Sequence, residues 1–455
     1  MNKDYEVIIV GGGISGSSLL YTIANYSNVE SVLLLEKCHG IAKINSSSLS
    51  NSQTLHFGDV ETNYSIQTVK QIKNAATMVL NYIAKLSSSK RIHIVRKWQK
   101  MVLAIGDEEI NALRKRHSEL SRIFPESKIL NREDIGRVEP YVVRNRDPSD
   151  RIEALFSEKG YAVDFGQLSE SFIDGACKNR KSRIRVKLGS KVMRLTRSQD
   201  LFNVHTTGGT YNAKTVVINA GIYGLRFAKA MGYGRNLMAW PVAGRFYCSK
   251  NVLRGKVYRI QQRGVPFAAV HGDPDISRPD RTRFGPTVSL PLRLEARGEG
   301  GFVDYIKNCD FSLDTASALT KVMFDKDIRN ILLKNMIYSL PYLGKRCFLD
   351  NEAGRIVPAL RSDSTNIWFA KDIGGIRPQI IDKSKGRLIW GEVKLGSEGI
   401  LFNINPSPGA TSCLQNSVVD TKIITEYLGK QMYEDKLDKA FGSYPVILNS
   451  GSDKS

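Results

Sequence analysis

The junction at which the apolar run Glu6-Val-Ile-Ile-Val10 enters Gly11-Gly-Gly-Ile-Ser-Gly16 constrains this chain more than any other feature. A continuous β-branched run suits a strand of a parallel sheet covered on both faces. Ser17 to Tyr26 then reads as a helix, and a second apolar run from Ser31 to Leu35 ends at Glu36. The sequence thus predicts one βαβ unit. Its glycines have separable tasks: Gly11 permits the tight turn, Gly13 lets backbone approach a pyrophosphate, and Gly16 lets helix and strand pack closely. The helix that follows turns free N–H groups and its positive dipole end toward phosphate, with Ser15 of the turn beside it. Glu36 lies twenty positions beyond Gly16, where a carboxylate accepts hydrogen bonds from adenosine ribose hydroxyls and repels a 2′-phosphate.

These residues favour NAD or FAD over NADP, and the far end of the chain bears on the choice. Gly409-Ala-Thr-Ser412 is expected to open a second helix running to about Leu428. Gly409, Ala410 and Thr411 would then face the N1–C2=O edge of an isoalloxazine, where a helix dipole stabilises negative charge on reduced flavin. Between the two ends, helices are expected over Thr68–Leu86, Asp107–Ile123 and Phe165–Lys178, with Leu313–Leu340 also helical. Strands are expected within Ile92–Ile105, at Ser190–Leu195 (which brings Val192 to the cofactor), at Phe202–Thr207 and at Thr215–Ile218. Met238–Ser289 is strand-rich, Ile367–Ala370 and Ile400–Asn403 are buried strands, and the tail from Gly442 is frayed. The expected architecture is α/β, a Rossmann-type FAD-binding domain assembled from discontinuous segments with an inserted α+β substrate-binding domain. Residues 1–85, 150–235 and 365–430 form the first domain and 86–149 and 236–364 the second. Residues 431–455 are a C-terminal extension.

Composition narrows the class further. The 455 residues carry 66 Lys and Arg against 45 Asp and Glu, a net +21 that calls for a polyanionic neighbour or an acidic substrate. An anionic membrane surface fits. Nucleic acid does not, because no nucleic-acid-binding module is legible. Basic clusters at Arg96–Lys100, Arg114–Arg116 and Lys178–Lys187 are expected as exposed faces that attract anionic headgroups. The six cysteines are scattered without close pairs, which points to a reducing compartment and neither disulfides nor metal. No signal peptide and no membrane-spanning run are expected, so any membrane contact is peripheral.

The dinucleotide motif, the strand Val216-Val-Ile-Asn-Ala-Gly221 and the segment Gly375-Ile-Arg-Pro378 together resemble the D-amino-acid-oxidase-like FAD enzymes. Ala220, Gly221 and Gly375 are cofactor contacts by that resemblance. Within the class, the chain is most similar to the malate:quinone oxidoreductase family. The carriers are Ser50-Asn-Ser-Gln-Thr-Leu-His56, Glu61-Thr-Asn-Tyr64, Pro241-Val-Ala-Gly-Arg-Phe246 and Val270-His-Gly-Asp-Pro-Asp275, followed by Phe284-Gly-Pro-Thr287, Arg377-Pro-Gln379 and Pro406 to Leu414. Ser52-Gln-Thr-Leu-His-Phe-Gly58 departs from the Ala-Gly-Thr-Gly-His-Ala-Ala type segment of the better-known branch. The resemblance implies FAD, oxidation of L-malate to oxaloacetate, a membrane quinone as acceptor, and a cytoplasmic protein on the inner face of the cytoplasmic membrane. A related enzyme acting on another 2-hydroxy acid or an amino acid is the alternative.

Such a reaction needs a carboxylate clamp, a base beside the hydroxyl, and exclusion of water. Arg377 is the expected clamp, since a guanidinium grips carboxylate bidentately and keeps its charge. The base is His271 or His56, histidine being the side chain that titrates near neutrality. His271 is preferred, because its segment matches the family more closely. A second carboxylate contact comes from Arg245, Arg283, Thr54 or Tyr64.

Overall fold

A computed structural model describes residues 4–179, 181–261, 269–297, 301–309, 312–340, 342–362, 364–389, 391–405 and 408–442. The expected frayed tail beyond Gly442, Pro406 and Ser407 of the late family segment, and Arg180 of the third basic cluster lie outside the described residues.

The first strand, Asp4–Val10, runs parallel to Ser31–Leu35 on one side and to Gly209–Ile218 on the other. Arg183–Lys187 extends the parallel sheet beyond Ser31–Leu35, and Ile400–Ile404 extends it beyond Gly209–Ile218. Side chains alternate across the sheet as strand geometry requires. Val7 and Ile9 pack with Leu19, Leu20 and Ile23 of the helix Ile14–Tyr26, while Ile8 and Val10 face Leu195, Phe202 and Val204 of an antiparallel meander. Both faces are therefore covered, which is why the run reads as uninterrupted apolar sequence.

Nine further strands form a second, largely antiparallel sheet. Its longest pairing joins Leu237–Lys250 to Ile367–Asp382, with a register shift between Arg245 and Phe246. Such irregularities re-aim side chains beside functional sites. Helices Leu313–Phe324 and Lys326–Tyr338 pack on this sheet through Ala318, Val322, Ile328 and Leu332 against Met238, Trp240 and Val242.

Several expectations require correction. Ile92–Ile94 end a short helix, Ser88–Ile94, and the strand begins only at Val95. Ile152–Val163 pairs with Val95–Ile105, so it belongs to the second sheet and not to the nucleotide unit that was expected to resume at 150. The same holds for Ile367–Asp382. The cluster Lys178–Lys187 is not simply a solvated face, because Arg183–Lys187 is the edge strand of the parallel sheet. Lys100 and Arg116, placed on exposed basic faces by the sequence, are buried. Lys100 pairs with Asp59 at 2.7 Å, and Arg116 donates to the carbonyls of Glu61 and Tyr64.

Candidate active site

A cavity of about 480 Å³ runs between the two sheets, and the glycine-rich turn forms one end of it. Gly11, with φ +110°, takes a backbone conformation closed to most side chains, and a Cβ on it would lie 2.3 Å from Asn219 O. A Cβ on Gly16 would lie 1.9 Å from Gly11 O, so this glycine packs strand against helix as expected, without lining the cavity itself. The helix that follows has Gly13 at its N-cap and no acidic residue in its first turn, and its Ile14 N–H donates to Ser46 Oγ at 2.9 Å. Nothing charged competes there with a phosphate. Glu36 is buried and lines the cavity, its carboxylate accepting from Gly12 N–H at 2.6 Å and Cys38 N–H at 2.8 Å. Both oxygens are thereby aimed, with lone pairs left for ribose hydroxyls.

Val192, Ala220 and Gly221 continue the lining, joined by Ser15 and by Gly409, Ala410 and Thr411. The late helix starts at Cys413 instead of Gly409, and the preceding turn brings backbone to the cavity. Gly375 must be glycine, because a Cβ there would lie 2.1 Å from Ser50 O. A channel with a buried carboxylate, a helix start free of acidic side chains and two close-approach glycines fits the dinucleotide FAD.

At the opposite end the channel is lined by Thr54, His56, Gly244, Phe246 and Arg377. Arg377 forms no ion pair or hydrogen bond among the described residues. Burial pushes its guanidinium below the ordinary value, with Tyr64 opposing. Tyr64 does not line the channel, but burial pushes its phenol up, Glu61 adding and the nearby Arg377 charge opposing. His56 donates its main-chain N–H to Thr411 Oγ1 at 3.1 Å, and its ring Nδ1 is hydrogen-bonded to Glu61 Oε1.

The remaining candidates lie elsewhere. His271, the expected base, is buried outside the lining, with Nδ1 on Ala269 O at 3.1 Å and Nε2 3.2 Å from Asp273 Oδ2. Its ring stacks on Tyr258 at 4.7 Å between centroids. Arg283 is fully buried and holds the carbonyls of Asn51 and Ser52, so it shapes the loop before Thr54. Arg245 is exposed and lies over Phe369 instead of in the channel. Lys256, unremarked in the sequence, is buried and donates to Thr54 Oγ1 at 3.0 Å, with Asp273 Oδ1 3.3 Å away. Glu61 was also missed as a site residue. Its only sequence signal was its place in a segment that resembles the family.

A parallel dinucleotide sheet joined to an antiparallel sheet across a common channel is an architecture found among FAD-dependent oxidoreductases. The fold is shared with the FAD-bound L-α-glycerophosphate oxidase of Mycoplasma pneumoniae, at TM-score 0.59 and 19% identity over 94% of this chain and 96% of that one. Glycine oxidase from Geobacillus kaustophilus superposes at TM-score 0.62 with 17% identity, covering 93% and 95% of the two chains. Within that class the chain belongs to the malate:quinone oxidoreductase family, whose profile matches residues 3–454. A probable malate:quinone oxidoreductase from Campylobacter jejuni is 38% identical over 445 residues, 95% of this chain and 98% of that protein. The malate:quinone oxidoreductase of Helicobacter pylori is 37% identical over 449 residues, 96% and 98% of the two chains.

Proposed function

We propose that the chain oxidises L-malate to oxaloacetate and passes the electrons to a membrane quinone while lying on the inner face of the cytoplasmic membrane. The observation that carries this reading is an arginine without a carboxylate partner, Arg377, lining the same channel end as the His56–Glu61 pair. FAD held along the channel by Gly11, Gly13, Glu36 and Thr411 would supply the two-electron acceptor that links this oxidation to a quinone. Arg377 grips a malate carboxylate and so fixes the C2 hydrogen relative to the flavin. With Nδ1–H donated to Glu61, Nε2 of His56 carries the lone pair that receives the C2 hydroxyl proton. Thr54, oriented by Lys256, offers a hydroxyl to the second carboxylate.

Anaerobic stopped-flow absorbance tests the reading. L-malate should bleach the oxidised flavin band, a soluble quinone should restore it, and Arg377→Ala should retain FAD but not bleach. A yellow protein that malate leaves unbleached would overturn the substrate assignment.

A further inference from the structure

The helix Lys326–Tyr338 has two apolar stripes, and only one of them is used. Ile328 and Leu332 are turned into the sheet, and Asn335 Oδ1 accepts from Val288 N–H at 2.7 Å. On the other side Leu333, Met336 and Ile337 follow the i, i+3, i+4 spacing of a single helix face, Leu340 follows just past the helix end, and all four are exposed. Leu313, Tyr342 and Leu343 add to them, Leu313 at 89% and Tyr342 at 94% exposure. Fourteen of the 21 exposed large apolar side chains of the described residues fall between Leu290 and Leu343. That concentration is not the scatter of an ordinary soluble surface.

Charge distinguishes the possible occupants. From Leu313 to Arg346 there are six Lys or Arg against three Asp. Lys334 pairs with Glu352 at 2.6 Å and Arg346 lies 4.0 Å from Asp350. Lys321, Lys326, Arg329 and Lys345 have no carboxylate partner among the described residues. A second copy of this chain would bring like charge against like. An apolar stripe edged by unpaired cations is instead the pattern of a helix lying in the headgroup region of an anionic bilayer. No described helix is long and apolar enough to cross a membrane.

Placement relates this face to the chemistry. Val288, held by Asn335, is paired across the sheet with Gly244. Gly244 lines the channel, and a Cβ there would lie 3.8 Å from Arg377 Nη2. The apolar helix is thus fastened to the sheet at the substrate end of the channel. We infer that the exposed face of Leu313–Leu343 docks the protein on an anionic lipid surface and brings the substrate end of its channel to the bilayer. As the route by which quinone is reached, this rests on the proposed function. As a lipid-binding surface it does not.

The test is co-sedimentation of the full-length, FAD-loaded protein with vesicles of phosphatidylglycerol and phosphatidylethanolamine, and with vesicles of phosphatidylcholine alone. The parent should bind the anionic vesicles and partition far less onto the neutral ones. Met336→Glu combined with Leu340→Glu should weaken anionic-vesicle binding at least about tenfold. Reduction of its flavin by malate, and of a water-soluble acceptor, should be unchanged. Lys326→Glu with Lys321→Glu should weaken binding in the same assay. A double glutamate variant that binds vesicles like the parent overturns the inference. So does one that binds normally but converts a dimer to a monomer in light scattering, which would make this face a self-interface. Failure of malate to bleach the flavin, with vesicle binding lost in the variant, would overturn the substrate reading and leave the lipid surface standing.

Discussion

Nδ1 of His56 is bonded to Oε1 of Glu61, and the imidazole beyond that bond lines the channel beside Arg377. Burial alone would push the Glu61 carboxyl up, but the charges of His56 and Lys100 outweigh it and hold the group below its ordinary value. So placed, Glu61 is suited to fix the tautomer of His56 and to stabilise its protonated form.

Glu61→Gln should keep the hydrogen bond but remove the charge. The rate at which malate bleaches the flavin is expected to fall by roughly 10²-fold or more, with flavin content per chain unchanged. A variant as fast as the parent in stopped-flow absorbance would remove Glu61 from the mechanism.

The two candidate histidines separate by the property they affect. His56→Gln should depress flavin reduction with little change in melting temperature. His271→Gln should act through folding, costing roughly 1–3 kcal/mol for the disturbed buried polar group, with much of the bleaching rate retained. Denaturant titration beside stopped-flow decides it, and the opposite pattern would return the base to His271.

Arg377→Lys keeps the charge and loses the fork. Malate kcat/KM should drop by the worth of a charged hydrogen bond, roughly 1.5–3 kcal/mol. Steady-state kinetics over a malate series checks this, and an unchanged kcat/KM would show that bidentate geometry plays no part.

Acid stability should report on Asp273. Burial raises its carboxyl, yet Lys256, His271 and Arg283 together hold it well below its ordinary value. A group lowered in the folded state contributes stability that is present above its unfolded value, about pH 4. That contribution is lost as pH falls toward the folded value. Asp273→Asn should be less stable than the parent at neutral pH, and the gap should narrow as pH falls below about 4. A gap that stays constant with pH would deny the linkage. Lys256→Met breaks the same buried pair and should cost roughly 3–5 kcal/mol.

The nucleotide end of the channel was legible in the sequence because its requirements are local. Gly11, Gly13, Gly16 and Glu36 act through turn conformation, close approach and a fixed chain distance, all of which spacing encodes. Arg377 was read from family resemblance, and it lines the channel. The choice between histidines was not legible, because it depends on long-range pairing. His271 is carried inward by Arg281–Ser289 and Lys256–Arg259, each flanking its short strand, whereas His56 reaches the channel through a bond to Thr411, 355 positions away. Arg283 failed as a contact for a related reason, since its fork is already taken by Asn51 and Ser52. The exposed helix face escaped notice because an apolar stripe on either side of a helix reads simply as core.

The parallel sheet sets Gly209–Ile218 beside the first strand and Ile400–Ile404 beside Gly209–Ile218. Between them the chain makes six of the nine strands of the second sheet before it returns. During synthesis, therefore, the glycine turn emerges early, but the sheet beside it and the late turn 409–411 that lines the same channel are complete only when about nine-tenths of the polypeptide has left the ribosome. Cofactor capture is accordingly a late, near-terminal event in the birth of this enzyme, and a nascent chain stalled before position 400 should be colourless however long FAD is supplied.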